Sequence, residues 1–126
     1  MSNENRHDIY ERIFNFIVLS LKFIDKLPRT YSNQIIVGQI TRSVTSMGAN
    51  SQEADGTSTR KDFLHCFTIV RKEGKETVYW LRLIEKLNSR YSEEVVLIIK
   101  EGVEIIAIVS AIIKNTLNNS KPSPES

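Results

Sequence analysis

The side chains best suited to chemistry are few and scattered along this chain. His7 and His65 are separated by a long interval, and Cys66 adjoins His65 with no second cysteine anywhere, so no zinc-type ligand spacing exists. Cys66 falls on the apolar side of a helical pattern, where a thiol is more often a small core residue than a nucleophile. Residues 56–61, Gly-Thr-Ser-Thr-Arg-Lys, precede a helix as a phosphate loop does, but they follow a helical segment rather than a strand and lack the second glycine. They read as a turn followed by a helix N-cap. No catalytic residues, metal or cofactor are expected, and the chain is read as non-enzymatic.

Two groups of polar residues do have helical spacing. With Arg60 set at zero and 100° per residue, Arg60, Lys61, Arg71, Lys72, Lys75, Arg82 and Lys86 fall between about 0° and 120° on one helix face. Asp62, Glu73, Glu76 and Glu85 fall outside that sector, so the cations are not neutralised along their own helix. Such a stripe is either an ordinary solvated face or a track for phosphates, and Tyr79 and His65 at its edge favour the track. The second group, Gln39, Arg42, Ser46, Asn50 and Glu53, lies within about 80° on the preceding helix. It has no histidine, cysteine or paired carboxylates, so it reads as a structural hydrogen-bonded network centred on Arg42, with Glu73 and Glu76 as partners.

These residues require four helices to position them. Glycine and proline number only five and three, and two of the prolines lie in 121–126, read as a disordered tail. Ile9, Tyr10, Ile13, Phe14, Phe16, Ile17, Leu21, Phe23, Ile24 and Leu27 recur at helical spacing as a wide apolar face behind a capping-box pattern, Asp8 with Glu11, and Pro28 ends the run. A second helix starts near Thr30 or Ser32, buries Ile36, Ile40, Val44, Met47 and Ala54, and stops at Asp55-Gly56. A third, from about 59 to 88, buries Phe63, Cys66, Phe67, Val70, Val78, Leu81 and Ile84. The fourth follows Ser92 with Glu93 and Glu94 in its first turn, where the helix dipole favours negative charge, and runs to about 118. Short connections then give an all-α, up-down-up-down antiparallel four-helix bundle over residues 1–120, with helices near 8–27, 31–54, 59–88 and 93–118.

Two faces look unfinished for a lone bundle. Between Thr30 and Ala54 only Arg42 and Glu53 are charged, and Gly38, Thr41, Thr45, Gly48 and Ala49 form a small neutral outer face. On the fourth helix Ile105, Ile108 and Ile112 continue a side that began with Glu93, Glu94, Lys100, Glu101 and Glu104, and are expected to form an exposed apolar patch. Gly38, Thr45, Gly48, Ile105, Ile108 and Ile112 are therefore the expected contacts of a homo-oligomer.

At 126 residues the chain is one domain by size. The polar N-terminus lacks an export signal, and Lys100, Glu101 and Glu104 interrupt the most apolar stretch, so a cytoplasmic location without membrane insertion is expected. A net charge of only +2 means that attraction to nucleic acid must come from charge placement.

The run from Gln39 to Ala54, with Gln-x-x-Arg-Ser then Ser-x-x-Ala-Asn-x-x-Glu, followed by Lys61-Asp62-Phe63 and the segment 69–77, resembles the bacterial four-helix-bundle proteins encoded in intervening sequences of 23S ribosomal RNA genes. The resemblance spans about residues 8–117. Ala54 stands where the family pattern commonly has glycine, and Gly74 where it has a better helix former. Members are similar in fold to the accessory protein of diversity-generating retroelements. The resemblance therefore implies a homopentamer, RNA or DNA binding and a ribonucleoprotein role, with a reverse transcriptase as one implied partner. The alternative expectation is a protein-binding scaffold with no nucleic-acid role.

Overall fold

The computed structural model describes residues 3–120, with side chains from Ile9 to Asn119. Four helices account for almost all of it: α1 (Asn3–Ile24), α2 (Tyr31–Asp55), α3 (Arg60–Leu87) and α4 (Ser92–Ser120), with a single 3-10 turn, Ser89–Tyr91, leading into α4. No strand occurs among the described residues. The tail 121–126 lies outside them.

Helix starts follow local chemistry. Thr30 accepts the Asn33 backbone N–H at 3.1 Å and Thr59 accepts that of Asp62 at the same distance, so α2 and α3 each open on a threonine cap. The backbone N–H of Gly56 donates to the Glu53 carbonyl and closes α2 at a negative φ, without a left-handed residue. Helix α1 differs from expectation at both ends. It begins at Asn3, so Asp8 sits inside it, because no breaker separates Asn3 from Asp8 and extending a formed helix is cheap. It ends at Ile24, after which the Leu27 N–H bonds back to the Ile24 carbonyl and the Leu27 side chain is still buried.

Helix α2 packs on α3, α3 on α4, and α1 on both α2 and α4, around one core. Phe16, Phe23, Phe67, Ile40, Met47, Leu81, Ile84, Ile98 and Ile105 are among its fully buried members. Gly74, the unusual residue of the α3 pattern, leaves the helix unbroken and is buried. A Cβ there would meet Ile106 Cγ1 at 3.1 Å and Met47 Cε at 3.4 Å, so its bareness lets α2 and α4 close on α3. Ala54 is likewise buried at the end of α2.

Two expected surface features and one expected core residue are corrected. Ile105 and Ile112 are buried in the protomer's own core, and Ile108 is partly buried against it. The side of α4 that carries Glu94 and Glu101 is the seam with α1, where Lys26 and Arg12 pair with those carboxylates, so its continuation through Ile105 and Ile112 is seam as well. Gly48 is not free for another molecule either, since a Cβ there would come within 2.9 Å of Ile17 Cδ1 on α1. Conversely Phe14, counted with the apolar face of α1, is 63% exposed. Gly38 and Thr45 are exposed as expected.

Candidate nucleic-acid interface

The seven stripe cations come from a helix whose other side is committed to the core: Phe63, Cys66, Phe67, Val70, Gly74, Thr77, Leu81 and Ile84 are buried. With 3.6 residues per turn, that burial forces Lys61, Lys72, Lys75, Arg82 and Lys86 outward, and all five are exposed. Arg71 is half-buried, and Arg60 is exposed with its guanidinium donating to the Asn119 carbonyl at 2.7 Å. Tyr79 and His65 are exposed as well. Val78, expected on the buried side, is only partly buried and packs near Gly102 of α4.

The decisive electrostatic feature is where the ion pairs fall. Among the described residues, the cations in salt bridges are Arg12 with Glu101 and Glu104, Lys26 with Glu94, and Arg42 with Glu73 and Glu76. None of the seven stripe cations is among them. Of the carboxylates of α3 and α4, Glu73 and Glu76 are turned to α2 and Glu94, Glu101 and Glu104 to α1, while Asp62, Glu85 and Glu93 take part in no salt bridge of the described residues.

The expected polar network forms around Arg42, though not in full. Arg42 Nη1 donates to Glu73 Oε2 at 2.9 Å, Nη2 to Glu76 Oε1 at 3.0 Å, and Nε to Gln39 Oε1 at 3.3 Å. Asn50 reaches only Ser46, through its carbonyl at 2.9 Å and its hydroxyl at 3.4 Å. Glu53 is exposed and joins none of these bonds. The Glu73 side chain is 8% exposed and its Oε1 is buried without a hydrogen-bond partner. Burial pushes the Glu73 carboxyl up, but interactions with Glu76, Arg42 and Ser46 outweigh it and hold it below the usual carboxylate range. Glu76 goes the other way, raised by its interaction with Glu73 and by burial.

The two shifts have opposite consequences for stability. Ionised Glu73 stabilises the fold above the ordinary carboxylate pKa of about 4.3, and that contribution is lost as pH falls through its lower folded value. Ionised Glu76 costs stability, and protonation as pH falls relieves the cost. Glu73→Gln is therefore expected to lose about 1.5–3 kcal/mol, the range for a hydrogen bond to a charged group, while Glu76→Gln stays within about 0.5 kcal/mol of the parent. Urea melts at neutral pH check both, and a Glu73→Gln variant as stable as the parent would contradict the assignment.

Several polar contacts have no counterpart in the sequence reading. Arg12 repeats the Arg42 arrangement on the α1–α4 seam, with Nε donating to Glu101 Oε2 at 3.1 Å and Nη2 to Glu104 Oε2 at 2.8 Å, which raises the guanidinium pKa. Asn33 and Asn88 exchange amide hydrogen bonds at 2.8 and 3.0 Å, tying the start of α2 to the end of α3. The Ser43 and Thr77 hydroxyls meet at 2.6 Å inside the core. Glutamates three residues apart facing an arginine on another helix were the available signal for Arg12. The Cys66 thiol is buried, and burial pushes its pKa up, with Glu53 and Asp62 adding to the effect, so its thiolate is disfavoured.

A four-helix bundle with one unpaired cation face defines a class of small helical proteins without settling an activity. Residues 5–111 match the 23S rRNA-intervening sequence protein family, and the chain belongs to that family. Among solved structures it is similar to a protein of unknown function from the S23 ribosomal protein family of Bacteroides thetaiotaomicron VPI-5482. The identity is 30%, the TM-score 0.79, and the match covers 87% of this chain and 98% of the other. No curated protein matches the chain. No helix among the described residues is long and apolar enough to cross a membrane.

Proposed function

We propose that this protein is a non-catalytic, homo-oligomeric accessory protein that binds RNA or DNA through the cation face of α3, within an up-down-up-down bundle. The observation that carries this reading is the absence of the seven stripe cations from the salt bridges of the described residues, although α2 carries Glu53 and Asp55 and α4 carries Glu93, Glu94, Glu101 and Glu104. Unpaired cations in a row gain most from a polyanion, because each phosphate they neutralise releases a condensed counterion. Exposed aromatic side chains are few along this face, Tyr79 being the best placed, so sequence discrimination is weak. The family membership is consistent with an RNA-related role, and a reverse transcriptase is the protein partner that the retroelement resemblance suggests.

The test is the salt dependence of binding to labelled RNA. Log affinity against log salt is expected to fall with a slope of about −0.7 for each phosphate contacted on a single strand, or about −0.9 on duplex DNA. A slope near zero, or no binding at low salt, would leave a protein-binding scaffold as the better reading.

Assembly follows from a different face. Phe14 and Val18 on α1 and Ile35 on α2 are exposed, as are the uncharged Gly38 and Thr45 of α2, where a monomer would more usually carry lysine and glutamate. With the isoleucines of α4 accounted for by the core, this is the surface we assign to subunit contact, with five subunits taken from the family resemblance. Light scattering should give an oligomer for the parent and a smaller particle for Phe14→Glu at unchanged helix content. A parent monomer at micromolar concentration would remove the ring.

A further inference from the structure

The α3 stripe does not end at the edge of its helix. Contacts of Gly74 with Ile106, of Val78 with Gly102 and of Arg60 with Asn119 pair rising numbers on α3 with falling numbers on α4, so the two helices lie in opposite sense at a fixed register. In that register Lys100 comes level with the Tyr79–Arg82 turn and Lys114 with the turn around Cys66. Lys100, Val103, Ala107 and Lys114 recur at helical spacing, and all four are exposed. Glu93 and Glu104 flank Lys100 within about 40° around the helix; Glu104 is taken with Glu101 by Arg12 and Glu94 by Lys26, while Glu93 takes part in no salt bridge of the described residues. Neither lysine is among the salt-bridged cations of the described residues.

The result is a surface of two adjacent helices with cations along α3 and at both ends of the α4 ridge, and with uncharged side chains between those lysines. Val103 is 51% exposed and Tyr79 54%, and the Tyr79 ring is set edge-on against Trp80 at 5.1 Å between centroids. Resting on the nucleic-acid reading above, we infer that this α3–α4 face binds single-stranded nucleic acid in preference to duplex, with Lys100 and Lys114 as phosphate contacts and Tyr79 as a stacking surface for bases. The cations alone would suit either form. The exposed apolar groups decide between them, because a duplex keeps its base faces stacked inside, whereas a single strand can lay them on tyrosine and valine.

The experiment is fluorescence anisotropy with a labelled oligouridylate and a perfectly paired RNA duplex of equal length, at one salt concentration. The parent is expected to bind the single strand more tightly. Lys100→Glu/Lys114→Glu should weaken binding to both probes. Tyr79→Ala should weaken the single strand alone, by roughly tenfold for one lost base stack. All three positions are exposed, and a helix-content melt confirms that each variant is folded. If Lys75→Glu/Arg82→Glu abolishes binding while the α4 variant binds like the parent, the α3 track stands and its extension falls. Equal effects of Tyr79→Ala on the two probes, or tighter duplex binding by the parent, overturn the single-strand preference. A parent that binds neither probe removes both readings.

Discussion

Phe16→Ala is expected to cost about 3–5 kcal/mol, the largest stability loss of any single change considered for this fold. Domains of this size are typically stable by only about 5–15 kcal/mol, so such a loss would bring the variant close to unfolding at 37 °C. The position explains the magnitude. Phe16 is 1% exposed, and its ring lies where α1 meets α4, with Cζ 3.1 Å and Cε1 3.2 Å from where a Cβ on Gly102 would stand. Removing the ring opens a cavity at a seam whose outer edge carries the Arg12 and Lys26 ion pairs. Urea denaturation followed by helix content measures the loss, and a value below about 1 kcal/mol would mean that the seam collapses around the gap. Gly102→Ala tests the same contact from the other side. Its new methyl would press on Phe16 and on Val78 Cγ2 at 3.0 Å, an overpacking cost of about 1–3 kcal/mol in the parent that should shrink in the Phe16→Ala background.

The second large effect concerns binding. Lys75→Glu/Arg82→Glu reverses two exposed cations that have no carboxylate partner among the described residues. With a slope of about −0.7 per phosphate on a single strand, one contact is worth roughly eightfold at about 50 mM monovalent salt, so losing two lowers affinity by roughly sixtyfold. Reversal adds repulsion to that loss. Stability should change little, because neither side chain takes part in the core or in an ion pair of the described residues.

How much of this was legible in the sequence varied with the range of the interaction. The threonine caps of α2 and α3 and the buried stripe of α2 were readable because they depend on neighbours within one or two turns. So was the link from Arg42 to Glu73 and Glu76, because α2 carries a single arginine and short connections bring α3 beside it. The errors arose where a face could meet either solvent or another helix. The side of α4 bearing Glu94 and Glu101 looked solvated by composition, yet it is the α1 seam, which is why Ile105 and Ile112 are core. Phe14 failed in the opposite sense, since helical spacing alone cannot say how much of a wide apolar arc its neighbours cover. The amide exchange of Asn33 with Asn88 joins residues 55 positions apart, and no local pattern announces it.

The measurement that bears most directly on the central claim is a titration of labelled single-stranded RNA with the parent and with Lys75→Glu/Arg82→Glu, run beside light scattering to show that both assemble alike. The α3 phosphate track predicts that the charge-reversed protein, equally folded and equally assembled, binds at least tenfold more weakly and with a shallower salt slope. Equal affinity for the two proteins, with assembly intact, would contradict it.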